Sequence, residues 1–323
     1  MASFKSRISR IGLAVAGLPL MLGVMSAGAA EFPDKEITLV VNYGAGGGTD
    51  LSSRVLAKAA EEILGQPIRV VNKTGGSGTV GPTNVATSKP DGYTIGITSF
   101  SPMAVSPHLT EVAYTLDSFD FLLGHARYRS GISVGKDSPY ETIDDFISAA
   151  KSGKELTYAA TDTLSKIFIK DLANKLGANF KAVSYKSGQE SVTATMAGTV
   201  DFNLEGPTNV VPQVKTGNLR LLASVSSVPW FELPDVPTLQ SAGVDLWVES
   251  YAGLAAPAGT PADRLKILEA AFEQALSDPE VQETMKGLGM EPVYFSSSDY
   301  RQLLSDGYER MSTDLAKIGL KKD

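Results

Sequence analysis

The sequence contains no cysteine among its 323 residues. This absence excludes disulfide bonds, thiolate metal sites, a cysteine nucleophile and a lipid-modified N-terminal cysteine. Histidine is almost as scarce: only His108 and His125 occur, and neither has an acidic residue at metal-ligand spacing. Because zinc needs several convergent ligands, both histidines are predicted to be surface or packing residues. We therefore expect no metal site, no cofactor and no histidine-based catalysis.

The first 30 residues have the layout of a secretory signal peptide. Lys5, Arg7 and Arg10 precede an apolar stretch at 11–24, which is shorter than the roughly 20 residues that span a bilayer. Small residues follow at 26–30, as at a signal-peptide cleavage site. The sequence therefore predicts export to the periplasm, with cleavage after Ala29 or Ala30.

Basic residues are also fewer than acidic residues. The chain has 29 Lys+Arg against 36 Asp+Glu, and removal of the leader with its three cations would take the net charge from −7 to −10. Such a surface repels nucleic acid and anionic membranes. After the leader, no stretch is long and apolar enough to span a bilayer. An anionic ligand would have to be held by local dipoles rather than by the overall field.

Short apolar runs alternate with segments of helical spacing along the rest of the chain. Strands are predicted at 37–41, 68–71, 93–98, 131–134, 156–160, 180–183, 200–204, 219–225, 247–255 and 292–295. Helices are predicted at 50–64, 82–88, 142–151, 165–176, 189–197, 207–216, 261–276, 279–287 and 298–317. This alternation is typical of α/β lobes with largely parallel sheets.

Two glycine-rich loops each follow a predicted strand and precede a predicted helix. The first, at 44–49, lacks the lysine of a phosphate-binding loop. The second has Gly-x-Gly-x-x-Gly at 76–81, without the acidic residue that dinucleotide-binding folds place further along. No Gly-x-Ser-x-Gly hydrolase motif occurs. Peptide N–H groups and threonine or serine hydroxyl groups at these loops can instead donate to the oxygens of a carboxylate without adding a formal charge.

The strand–loop–helix unit of the first loop recurs at 156–176. Each unit places the carboxyl end of a strand beside the amino end of a helix, where unpaired N–H groups and the helix dipole favour an anion. If the two units belong to different lobes, two anion-binding sites would face each other across a cleft.

Several motifs then recur in the order of one known family. They are Tyr43-Gly-Ala-Gly-Gly-Gly-Thr-Asp50, Asn72-Lys-Thr-Gly-Gly-Ser-Gly-Thr-Val-Gly81, Lys89-Pro-Asp-Gly-Tyr-Thr94, Val183-Ser-Tyr-Lys-Ser-Gly188, Gly198-Thr-Val-Asp201, Leu233-Pro-Asp-Val-Pro-Thr238 and Gly253-Leu-Ala-Ala-Pro-Ala-Gly-Thr-Pro261. With this ordered set the sequence resembles the Bug-type substrate-binding proteins, the extracytoplasmic receptors of tripartite tricarboxylate transporters.

The resemblance implies a two-lobed α/β periplasmic-binding-protein fold of type II, in which each lobe is a mixed, largely parallel sheet flanked by helices. Lobe 1 is predicted at 31–125 with 225–323, and lobe 2 at 126–224. The implied function is that of a monomeric receptor, not an enzyme. It closes on a small organic carboxylate, a di- or tricarboxylate being favoured, and delivers it to the permease subunits in the membrane.

The resemblance also implies a set of ligand contacts. In lobe 1 they are Tyr43, Gly46, Gly47, Thr49, Ser77, Gly78, Thr98 and Ser99. In lobe 2 they are Thr161, Thr163, Ser165, Tyr185 and Glu205.

Some charged residues depart from the family's usual pattern or have two open roles. Arg127 and Arg129 share one strand face by alternation, and they bind either the distal carboxylate of a diacid or acids of the protein. Arg129 is the preferred ligand contact because it lies nearer the predicted cleft. Lys166 opposes the helix dipole and is not predicted as a contact. Asp50 and Asp162 would repel a carboxylate, so each is expected to cap its helix or accept from neighbouring N–H groups.

Two alternatives stay open. The first is a receptor for an acidic amino acid, whose ammonium group would pair with an aspartate, or for an aromatic diacid. In the second case Tyr43, Phe100, Tyr128 and Tyr185 would sandwich the ring. The other alternative is an exported α/β hydrolase, which turnover of generic esters or amides would distinguish.

Overall fold

The computed structural model describes residues 1–2, 32–185, 187–317 and 320. The predicted signal peptide at 1–30 lies outside the described residues, apart from Met1 and Ala2. Within the described ranges, no helix is both long and apolar enough to cross a bilayer.

Strands and helices alternate along the chain from Ile37 onward. The strands are β1 (Ile37–Val41), β2 (Ile68–Asn72), β3 (Thr94–Ser99), β4 (Phe119–Tyr128), β5 (Gly131–Gly135), β6 (Glu155–Ala160), β7 (Asn179–Ser184), β8 (Phe202–Glu205), β9 (Leu219–Ser224), β10 (Ser250–Pro257) and β11 (Glu291–Ser296). The helices are α1 (Gly48–Leu64), α2 (Val80–Ala86), α3 (Ile143–Lys151), α4 (Thr163–Leu176), α5 (Gly188–Met196), α6 (Pro207–Lys215), α7 (Ala262–Ser277), α8 (Pro279–Gly287) and α9 (Ser297–Lys317).

The strands form two separate mixed sheets. The first has six strands in the order β11-β4-β10-β3-β1-β2, and the second has five in the order β7-β6-β8-β5-β9. In the first sheet β1 pairs in parallel with β2 and β3, whereas β10 runs antiparallel to β3 and β4. In the second sheet β6 is parallel to β7 and β8, and β5 is antiparallel to β8 and β9. Helices cover both faces of each sheet, so the predicted α/β class with mixed sheets is confirmed.

Each sheet has its own apolar core on either face. On the first sheet, α1, α7 and α8 pack on one face through residues such as Leu56 and Leu268, and α9 packs on the other through Tyr300 and Leu304. Helices α3 and α4 cover one face of the second sheet, and α5 and α6 cover the other with the buried Trp230. The amphipathic spacing of these helices supplies the apolar stripe that each face needs.

The predicted strands and helices all correspond to an element of the structure, but β4 was not predicted. Its ladder with β10 and β11 is interrupted by shifts of register, and the bare Gly124 leaves room for the rings of Tyr300 and Phe295. Antiparallel pairing is also more extensive than predicted. The reason is that β4 and β10, which connect the two sheets, both enter the first sheet antiparallel to their neighbours.

The chain passes between the sheets twice. It leaves the first sheet after Tyr128 and enters the second at Gly131, and it returns between Ser224 and Ser250. The return segment packs partly on the second sheet, through Leu239 and Val244. The lobe boundaries at 125/126 and 224/225 stay a prediction.

A buried carboxylate joins the two connections. Glu249, on the return segment, accepts hydrogen bonds from the N–H and the hydroxyl of Ser227 and from the hydroxyl of Tyr251. Arg127, at the end of β4, donates to the same carboxylate over 3.4 Å and also pairs with Glu291 on β11. Burial alone would raise the pKa of Glu249, but the bonds from Ser227 and Tyr251 and the charge of Arg127 hold that pKa below its ordinary value.

Candidate functional site

The predicted contacts lie where parallel strands of each sheet end. In the first sheet, β1 runs into the loop 42–47, β2 runs into the loop 73–79, and β3 ends at Thr98 and Ser99. In the second sheet, β6 runs into Thr161, β7 runs into Tyr185 and β8 ends at Glu205. Because carboxyl ends of parallel strands meet at one edge of a sheet, each half of the set is brought together by its own sheet.

The first glycine loop leads into a helix whose amino end has no side-chain cap. Gly47 is the N-cap of α1 and offers no side chain, so the first N–H groups of the helix have no partner from a cap. Gly46 has φ +81°, a left-handed conformation that favours glycine. The first turn of this 17-residue helix therefore presents uncharged peptide donors at its positive end.

Asp50 holds this loop in shape. Its Oδ2 accepts from the N–H of Gly46 at 2.9 Å, and its Oδ1 accepts from Nδ2 of Asn72 at 2.8 Å. Asn72 also donates to the carbonyl of Tyr43 at 2.9 Å, and Arg54 pairs with the carboxylate. The expectation that Asp50 accepts from neighbouring N–H groups is confirmed, so this charge stabilises the loop instead of facing a ligand.

The second glycine loop is built from consecutive left-handed residues. Gly75, Gly76, Ser77 and Gly78 have φ of +123°, +55°, +55° and +91°. Among the described residues other than glycine, Ser77 alone has a positive φ, and such strain often marks a binding site. A Cβ on Gly78 would lie 3.0 Å from the hydroxyl of Tyr43, so the two loops pack against each other at this point.

The strand ends between the loops carry polar groups that are buried. Asn42 donates through Nδ2 to the carbonyl of Gly78 at 3.2 Å and to the hydroxyl of Ser99 at 3.0 Å. Its Oδ1 and the hydroxyl of Thr98 have no hydrogen-bond partner among the described residues. Buried polar atoms without partners are costly, so these two point to a place that water or a ligand group completes.

Tyr43 and Thr49 lie at the start and just beyond the end of the first loop. The hydroxyl of Thr49 lies 2.5 Å from that of Tyr128 at the end of β4. Burial raises the pKa of Tyr43 to about 12, a hydrogen bond with Ser99 opposes this, and the carboxylate of Asp162 adds to the rise. Tyr43 therefore stays neutral, and the influence of Asp162 on its pKa indicates that the two halves of the set lie near each other.

In the second half, Asp162 is the cap of α4. Its Oδ1 accepts from the N–H of Ser165 at 2.8 Å, and its Oδ2 accepts from the hydroxyl of Ser165 at 2.7 Å. The expectation of a helix cap is confirmed. Thr163 is the first residue of α4, and Tyr185 lies half-buried beside Val183.

Glu205 lies on the same edge with only 7 % of its surface exposed. Its Oε1 accepts from the hydroxyl of Thr161 at 3.1 Å. Burial raises the pKa of Glu205 to about 7, and the nearby carboxylate of Asp162 contributes. A Cβ on Gly188 would lie 2.5 Å from Oε2 of Glu205 and 2.3 Å from Nδ2 of Asn209, so this corner tolerates no side chain at 188.

The two halves face each other and touch. Thr208, in the first turn of α6, donates through its hydroxyl to the carbonyl of Leu288 at 2.6 Å. A Cβ on Gly48, at the start of α1, would lie 3.5 Å from the same hydroxyl. Ile167 of α4 packs in the core that contains Phe100 and Met103. The amino ends of α1, α4 and α6 therefore converge on one cleft.

The arginines are engaged with acids of the protein. Arg129 is 2 % exposed and donates from both terminal nitrogens to Glu232, at 2.9 and 3.0 Å, with its guanidinium 4.0 Å from the centre of the Phe231 ring. Of the two roles left open above, this is the pairing with an acid of the protein. Whether Arg129 also contacts a ligand stays a prediction. Lys166 is exposed on α4.

Some residues of this arrangement were not predicted. Asn42 connects the strand ends, and Asn209 with Gly188 surrounds Glu205. Gly188 closes one of the family motifs quoted above, so its place in the motif was the available signal. For Asn42 the signal was its position directly after the last apolar residue of β1. The sequence carried no comparable signal for Asn209.

The comparison with known families is decisive. The profile of the tripartite tricarboxylate transporter family receptors, TctC, matches residues 52–320. The chain belongs to this family. The predicted resemblance is thus confirmed, and because members of the family are receptors, the hydrolase alternative is set aside.

Individual relatives cover almost the whole receptor. The UPF0065 protein in the gbd 5' region of Cupriavidus necator is 34 % identical over 321 residues, which are 98 % of each chain. Protein BugT of Bordetella pertussis is 28 % identical over 320 residues, covering 96 % of this chain and 98 % of BugT.

Solved structures agree with the fold of the receptor. The Rhodopseudomonas palustris protein Rpa4515 with adipate matches with a TM-score of 0.81 and 26 % identity, covering 90 % of this chain and 99 % of that one. MatC from the same organism, with bound malate, matches with a TM-score of 0.76 and 26 % identity, over 88 % and 100 %. The two-lobed periplasmic-binding-protein fold is confirmed by these likenesses.

Proposed function

We propose that this chain is the extracytoplasmic solute-binding protein of a tripartite tricarboxylate-type transporter. It binds a small organic carboxylate, a dicarboxylate being favoured, in the cleft between the two sheets and delivers it to membrane permease subunits. The leader at 1–30 directs it to the periplasm, where cleavage follows Ala29 or Ala30.

The single observation that carries the proposal is the donor set of the first half. The amino end of α1 has no side-chain cap, and Asp50 holds the adjoining loop in place by accepting from the N–H of Gly46. The loop 75–78, with its four left-handed residues, lies beside it. Such donors stabilise a carboxylate without adding a formal charge, which suits a protein with a net charge of −7.

Relatives support the class of ligand. Malate and adipate, the ligands of the two R. palustris structures, are both dicarboxylates. We place the first carboxylate of the ligand at Gly46, Gly47, Thr49, Ser77 and Gly78, with Tyr43, Thr98 and Ser99 beside it. The remainder of the ligand then extends toward Thr161, Thr163, Ser165, Tyr185 and Glu205.

A thermal-shift panel on the purified, leader-free chain tests the proposal. The panel contains mono-, di- and tricarboxylates, aspartate and glutamate, and phthalate as an aromatic diacid. Ligand that binds only the folded state raises Tm, by an amount that grows with its concentration over Kd. We expect one group of carboxylates to raise Tm, and a panel without any shift would refute the proposal. A shift with the amino acids or with phthalate alone would select the corresponding alternative ligand class.

The site itself is tested with a pair of threonine variants. Thr49→Val removes the hydroxyl at the first turn of α1, and we expect it to weaken the selected carboxylate about tenfold, the worth of one good hydrogen bond. Thr284→Val is the matched control, because Thr284 is exposed on α8 and bonds only its own helix. Equal affinities of the two variants, measured by calorimetry, would remove Thr49 from the site.

Delivery and export are tested in cells. A strain that lacks the gene should lose uptake of the selected carboxylate and regain it with the full-length chain. Mass spectrometry of the mature chain should show the cleavage after residue 29 or 30.

A further inference from the structure

Glu205 is a buried carboxyl group without a cationic partner. It is the last residue of β8 and is 7 % exposed, and no ion pair in the described part of the chain involves it. Its contacts are neutral: the hydroxyl of Thr161 donates to Oε1, and hydrogen bonding from Ser191 and Asn209 also favours the ionised form. These neutral donors offset only part of the cost of burying a carboxylate ion.

Among the described residues, charged groups on the neighbouring elements do not form an ion pair with Glu205. Asp162, at the start of α4, is a second acid, and both its oxygens are used to cap that helix. Across β5, the guanidinium of Arg129 is paired with Glu232. Glu190 on α5 and Lys166 on α4 are exposed. Burial, with a contribution from Asp162, raises the pKa of Glu205 to about 7, against the opposing hydrogen bonds from Ser191, Thr161 and Asn209.

Glu205 also lies at the strand edge of the second sheet that carries the other predicted contacts of this half. Thr208, three residues further along, touches the first half of the cleft through Leu288. Asp162 lies near enough for its charge to raise the pKa of Tyr43, whose ring packs on the loop 75–78. A dicarboxylate with one end on the glycine loops would therefore bring its other end to the second half. Arg127 at the end of β4 and Arg129 between β4 and β5 are already engaged with glutamates.

We propose that Glu205 recognises the distal carboxyl group of a dicarboxylate by sharing one proton with it, so that binding takes up a proton from solution. The inference rests on the proposed receptor function and makes Glu205 a determinant of specificity within it. Two carboxylates cannot both stay ionised at hydrogen-bond distance in a buried site. One proton between them replaces the arginine that a diacid would otherwise need. The proton comes from the buffer, stays with the pair while the ligand is bound, and returns on release.

The test is calorimetry with adipate and, as the monoacid of matched length, hexanoate. Titrations run from pH 6 to pH 9 in buffers with different ionisation enthalpies, which count the protons taken up. For the wild type we expect adipate affinity to fall about tenfold per pH unit above pH 7, with nearly one proton taken up at pH 9. Hexanoate should bind without this proton uptake.

Variants separate Glu205 from other acids. Glu205→Gln keeps the shape and a donor, so it should bind adipate with an affinity that no longer depends on pH. Glu155→Gln, an exposed acid at the start of β6 in the same sheet, should retain the wild-type pH dependence. Loss of adipate binding by a folded Glu205→Gln protein at every pH would overturn the inference, and its Tm without ligand shows whether it is folded.

The wild type alone also decides the matter, even if Glu205→Gln fails to fold. Adipate binding with constant affinity and no proton uptake from pH 6 to pH 9 would overturn the inference and leave the receptor function intact. Binding of other carboxylates but of no dicarboxylate would do the same. Failure of every carboxylate in the panel would instead refute the proposed function itself.

Discussion

His125 gives a prediction about stability that follows from its burial. The residue lies in β4 with 0 % of its surface exposed, and neither ring nitrogen has a hydrogen-bond partner among the described residues. Burial lowers the pKa of His125 from its ordinary 6.5 to about 4, because a charged imidazolium would be stranded in the core of the first sheet.

The sign and size of the effect follow from proton linkage. As the pH falls below 6.5, the unfolded chain binds a proton at this histidine, whereas the folded chain does so only near pH 4. Stability is therefore present above pH 6.5 and is lost as the pH falls toward 4. One pKa unit corresponds to about 1.4 kcal/mol, so the total loss from this residue is roughly 3 kcal/mol.

Urea unfolding at pH 7 and at pH 4.5 measures this loss. His125→Leu cannot titrate, so between the two pH values the wild type should lose roughly 2–3 kcal/mol more than the variant. Carboxylates that titrate in this range are common to both proteins and cancel. His108→Gln, which removes the other histidine, should keep the steep loss because His125 is still present. If the wild type and His125→Leu lost stability in parallel, the account of His125 as a buried neutral group would be refuted.

Three further predictions concern the cleft and its surroundings. Gly78→Ala should weaken the bound carboxylate at least tenfold in calorimetry, because φ is +91° and a Cβ would lie 3.0 Å from the hydroxyl of Tyr43; unchanged affinity would mean that this loop is not a contact. Thr208→Val removes a bond between the two halves, so small-angle scattering should show a larger radius of gyration without ligand, whereas equal radii would contradict that role. Arg129→Ala should lower the free energy of unfolding by about 3 kcal/mol, since Glu232 is left without its partner; unchanged stability with a selective loss of diacid binding would instead make Arg129 a ligand contact.

The order of elements could be predicted because local patterns determine it. Apolar runs of strand length, helical spacing and closing glycines such as Gly65 and Gly177 are properties of neighbouring residues. The strand β4 was not predicted because Gly124, His125 and Arg127 interrupt its apolar pattern. Two of the three are explained only by distant residues: Tyr300 fills the space at Gly124, and Glu291 pairs with Arg127.

Some features of the candidate site could likewise be predicted from the sequence, and others could not. Its glycine loops are visible in the sequence because few other structures need four glycines in five residues. The states of the charged groups are not visible, since Arg129 meets an acid 103 residues away and Glu205 meets a hydroxyl 44 residues away. Asp162 was predictable as a cap because its partner, Ser165, lies three residues along the chain.

The carboxylate of Glu249 has a mechanical consequence. Because it is bonded both to Ser227 on the return connection and to Arg127 at the end of the outgoing one, the two connections are held together at one point. We expect a rotation of one sheet against the other to strain these hydrogen bonds.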